Sequence, residues 1–420
     1  MSTDEIRLNE SSAVHAYDGE QSMSTVAHVQ GTVAEGFEGV REEFAAALAE
    51  EGHNEPGSQL AVYHHGRPVV DLWAGDGFSG DTLTAVFSST KGAAHLVVAL
   101  LVQDGVLDLS RTVASYWPEF GAEGKDRLTV AELLEHRSGV IWAHDGLTPA
   151  ELADDRVLAE RLAGQRPYWE PGSGYGYHAL VIGALTGEVV RRATGRSIQE
   201  HFEARIRAPY GLDLYLGLPE DLDSRFERVR PMNATPEQAA QLAAGAPGPD
   251  SLMAAAFGIN AGIDLVEEYG NAEAVRRLGP ASAGGIGNAR SLAKLYAAAI
   301  GSIDGRPPLL KPETAVEFGS HRTPGADLVV GEENHFGLGF EKPDVLYPGL
   351  GPDSFGHCGA SGSQAFADPA TDLAYGYARR RWAFPGGAAP ENARLVAAVL
   401  HACGLATRDR ATDADTDAAG

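Results

Sequence analysis

Residues 86–101 read Val-Phe-Ser-Ser-Thr-Lys-Gly-Ala-Ala-His-Leu-Val-Val-Ala-Leu-Leu, and this stretch decides the fold. Its apolar residues fall on nearly every face, which predicts a helix over about 89–104 that is buried all round. The three hydroxyl residues at 88–90 are types that begin helices. The stretch therefore predicts a central helix with a hydroxyl group at its amino terminus.

Ser88 and Lys91 are three residues apart, so their side chains would lie on one face of the first turn. Burial lowers the pKa of an ammonium group, and a neutral lysine can take the proton of a neighbouring hydroxyl. The Ser-x-x-Lys spacing is part of the signature of β-lactamases and penicillin-binding proteins. The alternative is a capped helix with a solvated lysine. A second Ser-x-x-Lys, Ser291 to Lys294, lies inside a periodic segment and predicts an ordinary helix start near Asn288.

The composition limits the class of protein. The 420 residues predict one large domain or two interleaved ones, and 44% hydrophobic residues are enough for a sizeable core. The net charge of −25 argues against binding to nucleic acid or to an anionic membrane surface. Two cysteines, Cys358 and Cys403, predict no disulfide framework and indicate a reducing compartment. We find no signal-peptide pattern and no transmembrane run, so we expect a soluble cytoplasmic protein.

Secondary-structure signals place strands near both ends of the chain and helices between them. The predicted strands cover 59–64, 69–73, 336–340, 355–357, 363–367 and 373–378. The predicted helices cover about 33–52, 89–104, 129–136, 148–163, 180–195, 197–207, 289–300, 311–318 and 391–403. This order predicts an α/β chain of the α+β type, with an antiparallel sheet built from both termini, flanked by helices, and a mainly helical domain inserted.

The chain divides by composition into an arm, one large domain and a tail. Residues 1–30 are expected to be an N-terminal arm that is disordered or laid over the surface, and 406–420 an acidic disordered tail. The domain over 31–405 would comprise a sheet part, about 31–80 plus 325–405, and a helical part, about 81–324. Within it, residues 208–280 are irregular and predict either a substrate-facing loop or a solvated insertion.

Two further stretches contain groups that a serine centre needs. Tyr177 follows a Gly-rich stretch just before a helix, where its hydroxyl could relay a proton; the alternative is a packed aromatic residue. The stretch 356–363, Gly-His-Cys-Gly-Ala-Ser-Gly-Ser, lies beside a strand, where glycines allow close approach to a ligand or form a tight turn. The pair His64-His65 has no third ligand at suitable spacing, so we interpret it as a turn rather than a metal site.

The order of these motifs resembles a known family. With Ser88-x-x-Lys91, then Pro171-Gly172-x-x-x-x-Tyr177, then His357-Cys358-Gly359, the chain resembles the class C β-lactamase-like serine hydrolases, and most closely the family VIII carboxylesterases. Segments 129–139 and 280–285 are also similar to that family, and the similarity extends over about 35–405. The resemblance implies the penicillin-binding-protein/β-lactamase fold.

The resemblance also implies a role for each of these residues. The implied catalytic set is Ser88 as nucleophile, Lys91 as its base partner and Tyr177 as general base and acid. His357 and Gly359 would form the third motif, beside the substrate, where lactamases have a lysine in place of His357. The backbone N–H groups of Ser88 and Ala360 would form the oxyanion hole. The resemblance implies no metal and no cofactor.

Two departures from the family pattern argue against lactam chemistry. Tyr177-His178-Ala179 stands where the family has Tyr-x-Asn, so the amide that holds a lactam side chain is missing. His357 replaces a permanently charged lysine by a titratable group. We therefore expect a carboxylesterase for small-molecule esters with very weak β-lactamase activity. The alternatives are a transacylase that passes the same acyl group to an alcohol or amine, as in natural-product biosynthesis, and a catalytically idle binding protein; the oligomeric state stays open.

Overall fold

The computed structural model describes residues 28–51, 56–331 and 334–405. The predicted tail and most of the predicted N-terminal arm lie outside these ranges, and Gln30, the last residue of that arm, begins a strand. The strands of the described residues are β1 (Gln30–Val33), β2 (Ser58–His64), β3 (Arg67–Ala74), β4 (Thr84–Ala85), β5 (Leu214–Tyr215), β6 (Ile286–Gly287), β7 (Phe355–Cys358), β8 (Gln364–Asp368) and β9 (Leu373–Arg379).

Six of these strands form one antiparallel sheet in the order β1-β3-β2-β9-β8-β7. β2 and β3 form the hairpin predicted from the sequence, with Ser58 opposite Ala74. β2 also pairs with β9, from Ser58 opposite Arg379 to His64 opposite Leu373, and so joins the N-terminal hairpin to the C-terminal strands. The prediction of a sheet built from both ends of the chain is confirmed. A second, three-stranded sheet has the order β4-β6-β5.

The α-helices of the described residues lie mostly between the hairpin and the C-terminal strands. They are α1 (Glu38–Glu50), α2 (Thr90–Gln103), α3 (Val113–Tyr116), α4 (Val130–Leu134), α5 (Pro149–Ala153), α6 (Asp155–Leu162), α7 (Ile182–Thr194), α8 (Ile198–Phe202), α9 (Ala208–Tyr210), α10 (Pro236–Ala244), α11 (Leu252–Ala256), α12 (Glu273–Leu278), α13 (Ala289–Ile300), α14 (Pro312–Gly319), α15 (Pro343–Leu346) and α16 (Glu391–Ala402). No helix among the described residues combines the length and apolar character needed to cross a membrane.

One face of the large sheet is covered by the first and last helices. Phe44 and Leu48 of α1 and Leu395 of α16 are buried together with Leu60 of β2 and Tyr375 of β9. Burial of an aliphatic or aromatic side chain of this size contributes about 1.5–3 kcal/mol relative to its exposed state. This packing ties both ends of the described chain to the same sheet.

The opposite face of the sheet is covered by α13 through small side chains. Ala289 and Ala293 pack against Ala61 of β2 and Ala378 of β9. Gly376 permits this close approach, because a Cβ atom at that position would lie 2.4 Å from the Ala289 carbonyl oxygen. α13 therefore packs on the sheet although its residues fall in the expected helical part, and the predicted division into two parts stays a prediction.

α2 is the buried helix that the opening stretch predicts. Every residue from Thr90 to Leu101 is buried, and the helix packs against α7, α8, α14 and β7. An apolar helix surface on all sides requires such a central position. Lys91 is the charged residue within this buried run, and its contacts belong to the candidate site described below.

Three predicted elements differ from the structure. The helix expected from about 33 begins at Glu38, because Gln30–Val33 pairs with β3. The helix expected over 148–163 is divided at Asp154, whose carboxylate accepts the N–H groups of Arg156 and Val157 in the first turn of α6. The irregular stretch 208–280 contains short helices, among them the solvent-exposed α10.

The strand predicted over 336–340 is wrong. The alternating Phe-Gly-Leu-Gly-Phe sequence mimics a strand, but Gly339 has a φ angle of 82° and the Gly337 N–H donates to Phe340 across a tight turn. The N–H groups of Leu338 and Gly339 donate to carbonyls of Phe318 and Leu134 in or beside two helices. Glycine at these positions allows the turn, and the segment crosses between helices instead of extending the sheet.

Candidate active site

Ser88 lies in a 3-10 turn, Phe87–Ser89, that runs directly into α2. Phe87 has a φ angle of 46°, a left-handed conformation that a bulky residue adopts only where its surroundings impose it. Gly270 packs so closely that a Cβ atom on it would lie 2.3 Å from the Phe87 ring, and Trp382 contacts the ring edge-on at 5.1 Å. Phe87 and Ser89 are buried while Ser88 stays partly exposed. The strained turn therefore presents one hydroxyl group.

Two side chains meet the Ser88 hydroxyl. Lys91 Nζ lies 3.0 Å from Ser88 Oγ, and the Tyr177 hydroxyl donates to the same oxygen at 2.8 Å. Lys91 Nζ also donates to the carbonyl oxygens of Ala179 at 2.7 Å and Ser282 at 2.8 Å. When the amine is neutral, these two carbonyls occupy its two N–H groups, so its lone pair faces Ser88. The structure thus brings together the three side chains that the sequence singled out.

The pKa of Lys91 suits proton exchange near neutral pH. The side chain is fully buried, and desolvation lowers its pKa to about 7 from the ordinary 10.5, while the negative charge of Glu341 acts in the opposite direction. A group with a pKa close to the working pH accepts and returns a proton with little cost in either direction. Near pH 7 a substantial fraction of Lys91 is therefore neutral and able to accept the Ser88 proton.

Tyr177 is held from both its backbone and its ring. Its N–H donates to Asp327 Oδ1 at 3.1 Å, and its ring stacks on Phe336 at 5.9 Å and packs against His136 at 5.5 Å. Burial, and after it the charge of Glu341, raises the pKa of Tyr177 well above its usual value of 10.0. The side chain is consequently a neutral phenol that donates to Ser88, and it is at the same time a packed aromatic ring.

Part of the irregular stretch 208–280 lies against this centre. The Phe257 ring lies 6.0 Å from the Tyr177 ring, and a Cβ atom on Gly258 would lie 2.9 Å from Trp142. In the same stretch, α10 buries none of its residues. One portion of the stretch therefore contacts Tyr177 and another faces solvent, and the substrate-facing role stays a prediction.

His357 lies on β7 and is fully buried. Its Nδ1 atom lies 2.7 Å from the Cys358 carbonyl oxygen and 3.4 Å from Glu341 Oε1. Burial lowers its pKa well below 6.5, so the ring is neutral and carries one proton. Since a carbonyl oxygen can only accept, that proton is on Nδ1. His357 Nε2, which is buried and has no hydrogen-bond partner among the described residues, is then an unprotonated acceptor.

Gly359 and Ala360 follow β7 and lie beside the Phe87–Ser89 turn. A Cβ atom on Gly359 would lie 2.3 Å from the Val86 carbonyl oxygen and 2.2 Å from Ser363 Oγ, so only glycine permits this approach. Ala360 packs in the same apolar cluster as Phe87. Within the described part of the chain, the Ala360 N–H has no acceptor. The end of β7 therefore places an unused N–H donor close to the turn that contains Ser88.

A model of the Beta-lactamase family matches residues 40–413. The chain belongs to this family. Esterase/beta-lactamase LipL of Mycobacterium tuberculosis is 32% identical over 355 residues, which cover 80% of this chain and 79% of LipL. The structure of EstA from Arthrobacter nitroguajacolicus Rue61a superposes with a TM-score of 0.81 at 41% identity, covering 90% of this chain and 99% of EstA. A family VIII carboxylesterase superposes with a TM-score of 0.78 at 33% identity, covering 89% and 100%.

The family comparison confirms the predicted resemblance and the β-lactamase-like fold. The structure shows what residues 178 and 179 contact where the family pattern is Tyr-x-Asn. Ala179 contributes only its carbonyl oxygen, which accepts from Lys91. The His178 ring is buried, with Nε2 2.6 Å from Ser138 Oγ and Nδ1 2.6 Å from the Gly176 carbonyl oxygen. Neither residue therefore presents a side-chain amide toward Ser88.

The structure adds three residues to the site that sequence reasoning did not select. Ser282 holds Lys91 through its carbonyl oxygen, and it lies in the family-like segment 280–285 that the sequence did identify. Asp327 holds the backbone of Tyr177. Glu341 is 9% exposed and lies against His357. No local pattern distinguishes these two acids from the other carboxylates of a chain with 58 acidic residues.

One cluster among the described residues brings possible metal ligands together. Ligand atoms of Glu341, His357 and Cys358 lie within 4.8 Å of one another. The Glu341 carboxylate accepts two hydrogen bonds from within this cluster. The Cys358 N–H donates to Oε2 at 2.7 Å, and the Cys358 thiol donates to Oε1 at 3.4 Å. Burial also raises the pKa of the Cys358 thiol well above 9.0. Hydrogen bonds within the cluster therefore hold its members together.

In the second Ser-x-x-Lys, each of the two side chains has a partner elsewhere. Ser291 Oγ accepts from the Asp213 N–H at 2.7 Å, and Lys294 pairs with Asp304 at 2.8 Å. Asn288 caps the helix as predicted, by accepting the Ser291 N–H. The pair His64-His65 lies at the β2–β3 turn, where His65 pairs with Asp372 at 3.1 Å.

Proposed function

We propose that this chain is a carboxylesterase that forms an acyl-enzyme on Ser88 with small-molecule esters. The observation that carries the proposal is the placement of Ser88 Oγ between Lys91 Nζ at 3.0 Å and the Tyr177 hydroxyl at 2.8 Å. The names of two similar proteins, esterase/beta-lactamase LipL and a family VIII carboxylesterase, include esterase activity and support the same conclusion.

In the acylation step, neutral Lys91 accepts the Ser88 proton while Oγ attacks the ester carbonyl carbon. The carbonyl oxygen becomes an oxyanion that the N–H groups of Ser88 and Ala360 would stabilise. When the bond to the alcohol oxygen breaks, Tyr177 gives its phenol proton to that oxygen. Lys91 returns its proton to Tyr177, so the acyl-enzyme is left with the starting protonation of both groups.

Deacylation reverses these transfers with water in place of the alcohol. Water loses a proton through Tyr177 to Lys91 and attacks the acyl carbonyl carbon, and Ser88 regains its proton when the ester bond to Oγ breaks. Because the pKa of Tyr177 is raised well above 10.0 by burial, Tyr177 transfers protons as a neutral phenol. Lys91, with a pKa of about 7, is the group that stores the proton.

Esters fit this site better than lactams carrying a carboxylate. Ala179 supplies no amide for a lactam side chain, and neutral, buried His357 supplies no cation for a carboxylate. LipL is named for both activities, which makes the comparison of the two substrate classes on one preparation necessary. An alcohol or amine that replaced water in deacylation would make the protein a transacylase.

The test is a product analysis with p-nitrophenyl butyrate, with and without added benzylamine or 1-butanol. We expect butyrate as the main product, read by mass spectrometry, and no turnover by Ser88→Ala. Ser291→Ala, which alters the other Ser-x-x-Lys, should keep the wild-type rate. Butyramide or butyl butyrate as the main product would establish the transacylase instead. A folded wild-type protein without turnover or acylation would contradict the proposal and favour a binding protein.

A further inference from the structure

Glu341 is a buried carboxylate to which the proposed reaction gives no part. It lies between the turn at Gly339 and α15, and its backbone pairs with Gly356 of β7. One carboxylate oxygen accepts the Cys358 N–H at 2.7 Å, and the other faces both the Cys358 thiol and His357 Nδ1 at 3.4 Å. These contacts all connect Glu341 to the strand that ends beside the nucleophile turn.

Contacts continue from Glu341 to the Ser88 centre along two paths. On the first, the His357 ring packs 5.8 Å from the Tyr177 ring, and Lys91 Nζ lies over that same Tyr177 ring at 4.9 Å. On the second, the Gly339 carbonyl oxygen lies 2.5 Å from Nδ1 of His95. His95 follows Lys91 by one helical turn on the same face of α2. Glu341 is thus held behind the catalytic groups by packed, buried residues.

We propose that Glu341 is a positioning residue that holds the end of β7 through the Cys358 N–H and sets the charge balance of the Ser88–Lys91–Tyr177 centre from behind that strand. This inference rests on the proposed acyl-enzyme chemistry. It adds Glu341 to Lys91 as a second group whose protonation affects the reaction. Its physical basis is that solvent only weakly screens a carboxylate among buried, uncharged neighbours, so the field of the carboxylate reaches the amine.

The direction of the effect on Lys91 follows from electrostatics. Burial raises the pKa of Glu341 to about 7, and the positive charge of Lys91 lowers it; in turn, ionised Glu341 favours charged Lys91. The two groups therefore titrate as a pair. Removal of the carboxylate takes away the main opposition to the effect of burial on Lys91, so the neutral amine is favoured. The pH at which Lys91 becomes a base should then fall.

Other titratable groups face this pair from each neighbouring element. Those that interact with Glu341 besides Lys91 are Cys358, Tyr177, Tyr296 and Tyr347, together with His357 in direct contact. Those that interact with Lys91 besides Glu341 are Cys358, His95, His136, His178 and His357. Burial lowers the pKa of each of these four histidines and raises those of the tyrosines and the thiol. Near pH 7 the neighbours are uncharged, which leaves Glu341 and Lys91 as the ionising pair.

The test compares Glu341→Gln with wild type by the rate of Ser88 labelling with a fluorophosphonate from pH 5 to pH 9. The amide oxygen can still accept the Cys358 N–H, so this variant removes the charge and keeps that bond. We expect the acidic limb of the labelling profile to move to lower pH by roughly one unit. Cys358→Ala, which removes the thiol that favours ionised Glu341, should move the limb the same way by less.

Asp368→Asn is the matched control, because Asp368 is a buried carboxylate on the neighbouring strand β8 that caps a turn. The acidic limb of the labelling profile of Asp368→Asn should coincide with that of wild type, even if this variant is less stable. An unmoved limb in folded Glu341→Gln and Cys358→Ala, or a uniform loss of rate at all pH values, would overturn the role of Glu341. A wild-type protein that the probe does not label would instead contradict the acyl-enzyme chemistry itself.

Discussion

Substitution of Lys91 by methionine tests the buried amine without measuring catalysis. Methionine has a similar length and no charge, so Lys91→Met should remain folded and lose esterase turnover. The folded amine has a pKa of about 7 against an ordinary value of 10.5. Between these values the unfolded chain binds a proton that the folded chain does not. Stability of the wild type must therefore rise with pH across this window.

The magnitude follows from the two pKa values. Between pH 8 and pH 10 the wild type should gain about 2.5 kcal/mol of unfolding free energy relative to Lys91→Met. Loss of the bonds to the Ala179 and Ser282 carbonyls shifts the unfolding free energy of Lys91→Met by the same amount at every pH. The slope of the unfolding free energy against pH therefore tests the pKa of Lys91. Urea unfolding at half-unit pH steps measures it, with Lys311→Met, at an exposed lysine, as a control that should stay parallel to wild type. Parallel wild-type and Lys91→Met curves would refute a lowered pKa for Lys91.

Three further outcomes are expected. Tyr177→Phe should lower kcat by about 10² with little change in the urea midpoint, and near wild-type turnover would show that Tyr177 only packs. The rate of Ser88 acylation should rise about tenfold from pH 6 to pH 8, because the neutral fraction of a lysine with a pKa of about 7 rises by that factor; a flat profile would exclude Lys91 as the base. Nitrocefin should give a much lower kcat/KM than p-nitrophenyl butyrate on one preparation, and an equal or higher value would restore the lactamase interpretation.

The parts of the fold that were predictable follow from local patterns. The apolar run after Ser89 required a buried helix, and α2 is one. The alternating strands near both ends required a shared sheet, and β2 pairs with β9. The Phe336–Phe340 segment has the same alternation but forms a turn. Its two glycines can adopt turn conformations that other residues avoid, so the alternation does not require an extended backbone there. Its path is set by carbonyls of distant helices, which no local window contains.

The residues of the candidate site also differ in whether a local sequence pattern could reveal them. Ser88 and Lys91 were found because helical spacing alone brings them together, and Tyr177 because a Gly-rich loop precedes a helix. Glu341 and Asp327 act through contacts with residues 17 and 150 positions away, so their burial has no local signature. The full burial of His357 was also beyond the sequence, because it depends on the packing of β7 against Glu341 and Tyr177.

The most direct test of the central claim is the intact mass of the protein after reaction with a fluorophosphonate or an activated ester. One adduct per chain is expected, mapped to a peptide that contains Ser88 and absent from Ser88→Ala, while Ser291→Ala is labelled like wild type. An adduct on Ser291, or an adduct that persists in folded Ser88→Ala, would contradict the assignment of Ser88 as the nucleophile.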